Sequence, residues 1–327
     1  MKRALFFIQF LLFALLSFAN PYEKEFKKIV ESYDVPQEAK SDVVGCPSAF
    51  WSALLNNNDL LFKFKSEMTK IKGAQKEAMK KFSEIPRFYV RYDESICDDM
   101  QGFCDTLLMD MGISPQIYKC NLHIVLDEQV NAYTVLTEDG FAMLISTGLI
   151  LKEGCTYDIL KAVVAHEFTH GIYCHHLQSL YKTEKLRRQA NLSKAIAMTG
   201  EAFAAGARAY TSALAGEKYD NSETHENMRE ISERINTERD LYSFEYMREQ
   251  EFEADIVAYR FMQWIGKGDI YLELLRFLGS DFDFLYNGYS DHPKSTTRIN
   301  LIKYIKSNPE IYNTKIAKLR KKANKSK

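Results

Sequence analysis

The sequence has almost no excess of either charge. Its 327 residues include 43 Lys and Arg against 44 Asp and Glu, which gives a formal net charge of -1. A protein that attracts nucleic acid in bulk needs a strongly basic surface, so no nucleic-acid partner is expected. Hydrophobic residues make up 46% of the chain and charged residues 27%. This composition is typical of a globular protein that buries a sizeable core.

The sequence also lacks internal repeats, long linkers and, beyond its first twenty residues, any apolar run long enough to span a membrane. The stretch MKRALFFIQFLLFALLSFAN has basic residues at Lys2 and Arg3, an apolar run over 4–18, and small residues at Ser17 and Ala19. This pattern predicts a secretory signal peptide, residues 1–19, and hence a periplasmic or otherwise exported protein. The alternative is an uncleaved anchor, although the run is shorter than the ~20 residues of a spanning helix.

No cysteine lies near the predicted cut, so a lipoprotein anchor is not expected. Oxidising conditions outside the cytoplasm would allow cysteines to pair. Cys155 and Cys174 would lie ~28 Å apart if they flank one helix, and Cys97 and Cys104 ~10 Å apart if both are helical. Both distances exceed the reach of a disulfide. No pairing is assigned among the six cysteines, which are Cys46, Cys97, Cys104, Cys120, Cys155 and Cys174.

The residue pattern predicts an α+β protein that is mainly helical. Charged and apolar residues recur at helical spacing from 21 to 85, and a further helix is expected from about Asp93 to Met111. The following stretch is rich in β-branched and aromatic residues and carries the turn signal EDG. It predicts three strands, near 121–126, 132–136 and 141–146.

Two strong helices follow the predicted strands. Thr156 and Asp158 mark the start of the first, which should continue to about Tyr181. The second runs from YSFEYM to a stop at Gly266. The residues between them combine a small, apolar segment with a charge-dense stretch, which is typical of an exposed helix or a mobile loop. The predicted organisation is a signal peptide, an N-terminal helical segment over 20–85, and a main domain over 86–327 with a helical or loop insertion at 182–248.

The stretch AVVAHEFTHGI carries the clearest chemistry. His166 and His170 are four residues apart, project from one helix face and can hold one metal ion. Glu167 lies beside the first histidine and can reach a water molecule on that ion. Zinc hydrolysis needs three protein ligands, an open position and a base, and this motif supplies two ligands and the base. The alternative is a buried helix with structural histidines, which would be costly without partners for them.

The stretch EQEFEAD offers the third ligand. Helical periodicity places Glu251 and Asp255 on one face, whereas Glu253 points roughly the opposite way. We therefore predict that Glu251 binds the metal and that Asp255 accepts a hydrogen bond from a ligand histidine, which fixes the ring's tautomer. A solvated acidic face explains Glu249 and Glu253 better.

HEFTH followed by EFEAD resembles the gluzincin metallopeptidases that include CAAX prenyl protease type 1, HtpX and the BepA-like periplasmic proteases. The stretches VNAY, ISTGLI with DILKAVVAHE, and HPKSTTRI resemble further family segments, in matching order from about residue 86 to 305. The resemblance implies a zincin-like metalloprotease fold with a small β-sheet beside the HExxH helix. It also implies one Zn²⁺ per chain, with ligands His166, His170 and Glu251, and Glu167 as the catalytic base.

The resemblance gives His292 and Arg298 places near the metal. His292 would stabilise the oxyanion as a catalytic residue, or occupy the open zinc position and hold the enzyme latent; the alternative is a loop histidine that caps the next helix. Arg298 would brace the site or pair with a carboxylate. The chain departs from the family in its long gap between His170 and Glu251. It also lacks the membrane helices of HtpX and the tetratricopeptide repeats of BepA.

Three segments near the motif have several possible roles. The strand FAMLIS is expected at a sheet edge beside the zinc, where an extended peptide could add as a further strand; the alternative is an ordinary paired strand. Residues 195–216 could be a helix packed on the core, a lid, or a membrane-surface contact. Charges at Lys194, Glu201 and Arg208 argue against a clean apolar face for that contact. No functional role is favoured for His175 and His176, which follow the motif.

The sequence thus predicts an exported zinc metalloendopeptidase that acts on unfolded or misassembled envelope proteins. A role in quality control is suggested by the resemblance alone. The competing hypothesis is a catalytically latent or chaperone-like assembly factor that keeps the fold, and a third is a peripheral membrane factor acting through 195–216. The intact Glu167 favours the enzyme, because a scaffold has no need of that base.

Overall fold

The computed structural model describes residues 27, 45–56, 94–137, 140–282 and 292–309. The predicted signal peptide and most of the N-terminal helical segment lie outside the described residues, and the predicted domain boundaries stay predictions. Within the described part, helices predominate around one three-stranded sheet, which confirms the mainly helical α+β prediction. The helices are α1 (Pro47–Asn56), α2 (Glu94–Asp110), α3 (Pro115–Tyr118), α4 (Thr147–Leu151), α5 (Tyr157–Ile172), α6 (His175–Leu214), α7 (Ser222–Trp264), α8 (Gly268–Phe282) and α9 (Ser295–Ser307).

The sheet has the strand order β1–β3–β2, where β1 is Cys120–Val125, β2 is Ala132–Leu136 and β3 is Phe141–Ser146. Strand β3 pairs in parallel with β1 and antiparallel with β2. The prediction that FAMLIS forms a sheet edge is therefore wrong, because this strand is central. All six of its residues are buried. A nearly continuous apolar run is typical of a strand covered on both faces, and this signal was present in the sequence.

Strand β2 is the sheet edge on the side of α5. The amide of Ser146 donates to the carbonyl of Asn131, and the amide of Thr137 donates to the carbonyl of Gly140, so the odd-numbered residues along β2 direct their backbone hydrogen-bonding groups to β3. Alternate residues of an antiparallel strand direct these groups to opposite sides, so the backbone groups of the even-numbered residues point away from β3. These residues are Ala132, Thr134 and Leu136.

Helix α5 begins as the sequence predicts and ends earlier. The Thr156 side chain accepts a hydrogen bond from the amide of Ile159 and caps the first turn. The helix stops at Ile172, and Cys174 adopts a left-handed conformation with φ of 54° before α6 begins. The prediction of one helix to about Tyr181 is wrong at this point. Both flanking runs are good helix formers, so a break caused by one left-handed residue leaves no mark in the apolar pattern.

Gly171 lets α5 approach the sheet closely. A Cβ atom built at Gly171 would lie 2.1 Å from the ring of Phe141 on β3. Glycine in a helix interior costs about 0.5–1 kcal/mol relative to alanine. Here that cost is offset by the close packing of the helix against the central strand.

An aromatic cluster anchors the face of α5 opposite to its histidines. Trp51 of α1 stacks on Phe261 at 4.5 Å between ring centroids and meets Phe168 edge-on at 4.8 Å. Its indole nitrogen donates to the carbonyl of Met111 at 3.0 Å. Phe168 is the central residue of HEFTH, so the core holds the motif helix in place. Since α1 supplies the tryptophan, part of the predicted N-terminal segment belongs to this core.

Helices α6 and α7 form a long antiparallel hairpin. They contain 40 and 43 residues, or about 60 and 65 Å at 1.5 Å per residue. The charge-dense stretch is therefore a helix rather than a loop, and it continues without a break into the helix that carries Glu251. Pairs across the hairpin include Thr183 with Ser243 at 3.1 Å and Lys194 with Asn236 at 2.6 Å.

The charged residues of 195–216 and its neighbour Lys194 face α7. Lys194 bonds Asn236, Glu201 accepts from Asn227 at 3.1 Å, and Arg208 contacts both Glu201 and Thr224. They recur every seven residues and therefore share one helix face. The expectation that these charges interrupt an apolar outer face is therefore wrong. The prediction that residues 195–216 pack on the main core is also wrong, because this segment packs on α7. The outward face instead exposes Leu192, Ile196, Phe203, Tyr210 and Leu214.

Two further observations concern the membrane and the cysteines. Within the described residues, every helix is too short or too polar to cross a lipid bilayer. The structure describes the side chains of five cysteines and shows no disulfide among them: Cys46, Cys104, Cys120, Cys155 and Cys174. Cys155 and Cys174 lie at opposite ends of α5, as expected.

Candidate metal centre

The structure brings the three predicted metal ligands together where α5 and α7 pack. The Nε2 atoms of His166 and His170 are 3.1 Å apart. Glu251 on α7 places Oε2 at 3.3 Å from Nε2 of His166 and Oε1 at 3.3 Å from Nε2 of His170. His166 and Glu251 are buried, and His170 is half-buried. Two helices thus direct two nitrogens and a carboxylate to one point.

The spacing of these atoms fits a zinc ion. Zinc binds His nitrogen and carboxylate oxygen at about 2.0–2.2 Å, usually with tetrahedral geometry. Ligand atoms on such a tetrahedron lie roughly 3.3–3.5 Å apart. The three observed separations, 3.1, 3.3 and 3.3 Å, are close to that value. The donor set of two imidazoles and one carboxylate is also one that zinc prefers in hydrolytic sites.

A buried carboxylate and a tyrosine hold the ring of His166. Its Nδ1 lies 3.2 Å from Oδ1 of Asp255 and 3.0 Å from the hydroxyl of Tyr271. The Tyr271 hydroxyl in turn donates to Oδ1 of Asp255 at 2.7 Å. Asp255 therefore lies where the sequence placed it. A proton on Nδ1 leaves Nε2 of His166 free to bind a metal.

Arg298 forms a two-point ion pair with Asp255. Its Nε donates to Oδ2 at 2.8 Å and its Nη2 to Oδ1 at 2.6 Å. The same Nη2 lies 3.9 Å from Oε2 of Glu251. Burial raises the pKa of the Asp255 carboxyl, but the Arg298 charge and the His166 hydrogen bond outweigh it, and the pKa falls below its usual value. Arg298 therefore keeps a buried carboxylate ionised beneath the site.

Glu167 lies beside the ligands and is hydrogen-bonded to strand β2. The hydroxyl of Thr134 lies 2.9 Å from Oε2 of Glu167 and 2.7 Å from its backbone carbonyl. Burial raises the pKa of the Glu167 carboxyl, and this outweighs the opposing effects of His166 and Thr134. A carboxylate with a raised pKa is a stronger base than an exposed one, which suits a group that takes a proton from water.

His292 lies in the site rather than at a helix end. Its Nδ1 is 2.9 Å from Oε2 of Glu251, and its side chain is 36% exposed. Helix α9 has Lys294 as its N-cap, so the alternative that His292 caps this helix does not hold. The geometry brings His292 and Arg298 to the same carboxylate, Glu251.

A cleft opens beside the ligands. Its polar lining combines site residues with Asn131, and its apolar lining comes from the start of β2 and from α4, α5 and α8. The lining residues are Asn131, Ala132, Leu149, Val163, His166, Glu167, Leu274, Leu278, His292 and Arg298. The outer edge of β2 thus enters the cleft at Ala132. Further along this edge, Nε2 of His176 contacts the carbonyl of Thr134.

Three residues of the site were missed by the sequence analysis. His175 is buried, with Nδ1 at 2.8 Å from Nδ1 of His170 and Nε2 at 3.0 Å from Oε2 of Glu253. On a continuous helix, a residue five positions on points about 140° away, so only the break at Cys174 turns His175 back. The sequence analysis assigned Glu253 to a solvated acidic face, and this is wrong, because its carboxylate contacts His175 of α6 and only 20% of its side chain is exposed. No sequence signal marks Tyr271.

Comparison with known protein families identifies a family for this chain. A model of Peptidase family M48 matches residues 104–306, which is more than half of the chain. Three chains of solved structure match, among them the crystal structure of S. mikatae Ste24p, at 15% sequence identity and a TM-score of 0.37. That match covers 62% of this chain and 49% of the other, so this chain spans about half the length of that relative. The search of curated proteins gives no match.

The matched region contains every residue of the predicted site. It extends from α2 through the HExxH helix, the hairpin and Glu251 to α9, which carries Arg298. Peptidase family M48 consists of zinc metallopeptidases, and the two histidines and the glutamate described above could hold such a metal. This chain belongs to Peptidase family M48.

Proposed function

We propose that the protein is a zinc-dependent metalloendopeptidase with His166, His170 and Glu251 as its metal ligands. One observation carries the proposal: the Nε2 atoms of His166 and His170 lie 3.1 Å apart, and each lies 3.3 Å from one of the two carboxylate oxygens of Glu251. When bound, zinc polarises a peptide carbonyl and lowers the pKa of a water molecule in the open position. The surrounding residues then supply proton transfer and orientation.

Glu167 is the general base of the proposed reaction. Its carboxylate takes a proton from the attacking water and delivers it to the leaving amine nitrogen. Thr134 supports both states of this group, because its hydroxyl can donate to the carboxylate, or donate to the backbone carbonyl and accept from the protonated acid. Asp255 and Arg298 act further from the reaction: they hold the His166 ring with its Nε2 towards the metal.

The substrate is proposed to bind as an extended strand along the edge of β2 at Ala132, ahead of Thr134, whose carbonyl His176 contacts. Backbone groups of Ala132 face away from β3, and this residue lines the cleft next to Glu167. Strand addition uses backbone hydrogen bonds, so it tolerates many sequences and suits unfolded or misassembled protein segments. The place for an incoming strand is therefore β2 rather than the central strand that the sequence analysis chose.

The role of His292 decides whether the proposed enzyme is active or latent. Its Nδ1 lies 2.9 Å from Glu251, close enough to the metal ligands for either of its predicted roles. As a catalytic residue it would stabilise the oxyanion of the tetrahedral intermediate. As a ligand it would fill the open position and favour the latent or chaperone-like alternative. Retention of the base Glu167 supports the active enzyme.

We further propose that the enzyme is exported and acts in quality control of envelope proteins. The signal-like residues 1–19 and the family resemblance support this proposal. A peripheral membrane contact is a separate proposal for the outer face of α6. Support comes from the exposed Phe203 and its neighbours Leu192, Ile196, Tyr210 and Leu214, with the nearby charges turned towards α7. Liposome flotation of Phe203→Ser beside wild type would test it.

The enzyme proposal is tested by Glu167→Gln. The amide keeps the shape of the side chain and cannot take a proton, so cleavage of casein should fall to background while bound zinc, measured by atomic absorption, stays at one ion per chain. Glu153→Gln serves as a matched control, because Glu153 is exposed and precedes α5. Casein cleavage by Glu167→Gln at the wild-type rate, with zinc still bound, would exclude the proposed mechanism.

A further inference from the structure

We infer that Glu253 and His175 are positioning residues for the metal centre. They form a hydrogen-bonded relay that fixes the ring of His170 in the tautomer whose Nε2 faces the metal. The inference rests on the zinc site proposed above and extends it to two residues outside the ligand set. His166 has its own support in Asp255 and Tyr271, so each ligand histidine is held by a separate group.

The relay is continuous from carboxylate to ligand. Oε2 of Glu253 lies 3.0 Å from Nε2 of His175, and Nδ1 of His175 lies 2.8 Å from Nδ1 of His170. The rings of the two histidines meet edge-on, with centroids 4.8 Å apart. Nε2 of His170 then points at His166 and Glu251. Three consecutive hydrogen-bonding partners thus connect the surface of α7 to the metal position.

The chemistry of the groups sets the direction of each hydrogen bond. An ionised carboxylate only accepts, so Nε2 of His175 must carry the proton that Glu253 receives. In a neutral imidazole the other nitrogen is then an acceptor, and Nδ1 of His175 accepts from Nδ1–H of His170. His170 therefore presents the bare Nε2 that a metal requires.

Several contacts hold His175 in this orientation. Its side chain is only 2% exposed, and the left-handed Cys174 before it turns the chain so that the ring points back at α5. The side chain of Gln250 donates to the carbonyl of His175 at 3.1 Å and accepts from the hydroxyl of Ser179 at 2.7 Å. The ring also stacks on Tyr173, with centroids 5.8 Å apart. The ring is thus fixed by its neighbours before any metal binds.

Three acidic residues of α7 have different tasks in this arrangement. Glu251 is the proposed ligand, Asp255 holds His166 directly, and Glu253 holds His170 through His175. Glu253 projects from a different face of the helix and reaches His170 only because the interposed imidazole spans the gap. Loss of such supporting partners typically weakens metal binding 10- to 100-fold.

Zinc affinity of the purified full chain tests the relay without reference to peptidase activity. The dissociation constant is measured by competition with a chromophoric chelator. Glu253→Gln should weaken zinc binding roughly 10- to 100-fold, because an amide no longer enforces the donor direction of His175. Glu249→Gln is the matched control, since Glu249 is exposed one turn earlier on the same helix. This control should bind zinc as wild type does.

Two substitutions at His175 separate positioning from simple packing. His175→Asn keeps an acceptor oxygen near the position of Nδ1 but loses volume, whereas His175→Leu keeps the volume and loses the acceptor. The relay predicts that the Asn protein binds zinc more tightly than the Leu protein. A packing role predicts the reverse order. Circular dichroism melting of the zinc-free proteins shows whether each variant folds.

The outcomes distinguish the relay from the zinc site itself. A wild-type protein that binds no zinc would refute the proposed function and the relay with it. Wild-type zinc affinity in both Glu253→Gln and His175→Leu would refute the relay and leave the zinc site standing. Glu253 is half-buried, with 20% of its side chain exposed, so its amide variant is the decisive one if substitution of the buried His175 prevents folding.

Discussion

The hydroxyl of Thr134 lies 2.9 Å from the carboxylate of Glu167 and 2.7 Å from the backbone carbonyl of the same residue. One side chain of the edge strand thus contacts both the proposed base and the helix that carries it. The edge along which a peptide would bind and the group that would take the proton are therefore held in a fixed relation. A shift of β2 would disturb both.

Thr134→Val removes this contact with almost no change in volume. We expect kcat to fall about tenfold, which corresponds to the loss of one hydrogen bond of roughly 1.4 kcal/mol, while bound zinc is unchanged. The measurement is the steady-state cleavage of a fluorogenic peptide. Thr134→Ser keeps the hydroxyl and should retain most of the activity. A fully active Val protein would show that this hydroxyl does not position Glu167.

His292→Ala separates the two roles of this histidine. Stabilisation of an oxyanion predicts that kcat falls about 100-fold or more with little change in KM. Peptide cleavage at saturating zinc measures both quantities, and the exposed His225 on α7 offers a control substitution to alanine. A rise in activity would instead support the latent form, in which His292 blocks the open position.

Gly171→Ala should destabilise the protein by about 1–3 kcal/mol, because the new Cβ would overlap the ring of Phe141 in a packed core. The control lies in the same chain. Gly200 is also inside a helix, and a Cβ atom added there would have no neighbouring atom within 4 Å. Gly200→Ala should therefore stabilise by about 0.5–1 kcal/mol through helix propensity. Urea denaturation of both variants measures the two effects, and equal signs would contradict the packing argument.

Asp110 links α2 to α5 in a pH-dependent way. It accepts from the hydroxyl of Tyr157 at 3.0 Å and pairs with Lys161 at 3.2 Å, and the Lys161 and Tyr157 hydrogen bonds lower the pKa of its carboxyl. A lowered folded-state pKa contributes stability above the unfolded-state pKa, about 3.9, and this contribution is lost as the pH falls through the folded-state value. Because the side chain is 41% exposed, the effect should stay below about 1 kcal/mol.

The corresponding test compares Asp110→Asn with wild type at two pH values. The melting temperature of the variant should be lower at pH 7, and the difference should shrink towards pH 3. Asp99→Asn is the control, because Asp99 is exposed on the same helix. A difference that grows on acidification would have the wrong sign for this pair.

The ligands could be predicted from the sequence because their geometry is local. Spacing of four residues fixes the relative positions of His166 and His170, and the same rule places Glu251 and Asp255 on one face of α7. The strand ranges were also predictable, since β-branched and aromatic residues concentrate there. These features depend on contacts within a few turns or residues of one element.

Other features depend on distant parts of the chain and could not be predicted in this way. The apolar run of β3 indicates a strand that is covered on both faces, but its place between β1 and β2 is set by which segments pair. His175 reaches His170 only through the left-handed turn at Cys174, and Tyr271 reaches Asp255 from a helix that follows α7. The inward direction of Lys194, Glu201 and Arg208 required knowledge that α7 lies alongside.

The uninterrupted course of α7 has a mechanical consequence. The helix starts at Ser222 and reaches Glu251 after about 44 Å without a break, so the third ligand moves as one body with the far end of the hairpin. His166 and His170 belong to α5, and only two residues, Tyr173 and Cys174, separate their helix from α6. A tilt of the hairpin would therefore change the distance from Glu251 to the two histidines while leaving the histidines' own spacing unchanged. A force on the far end of the hairpin would therefore first displace Glu251 from the two histidines and weaken metal binding.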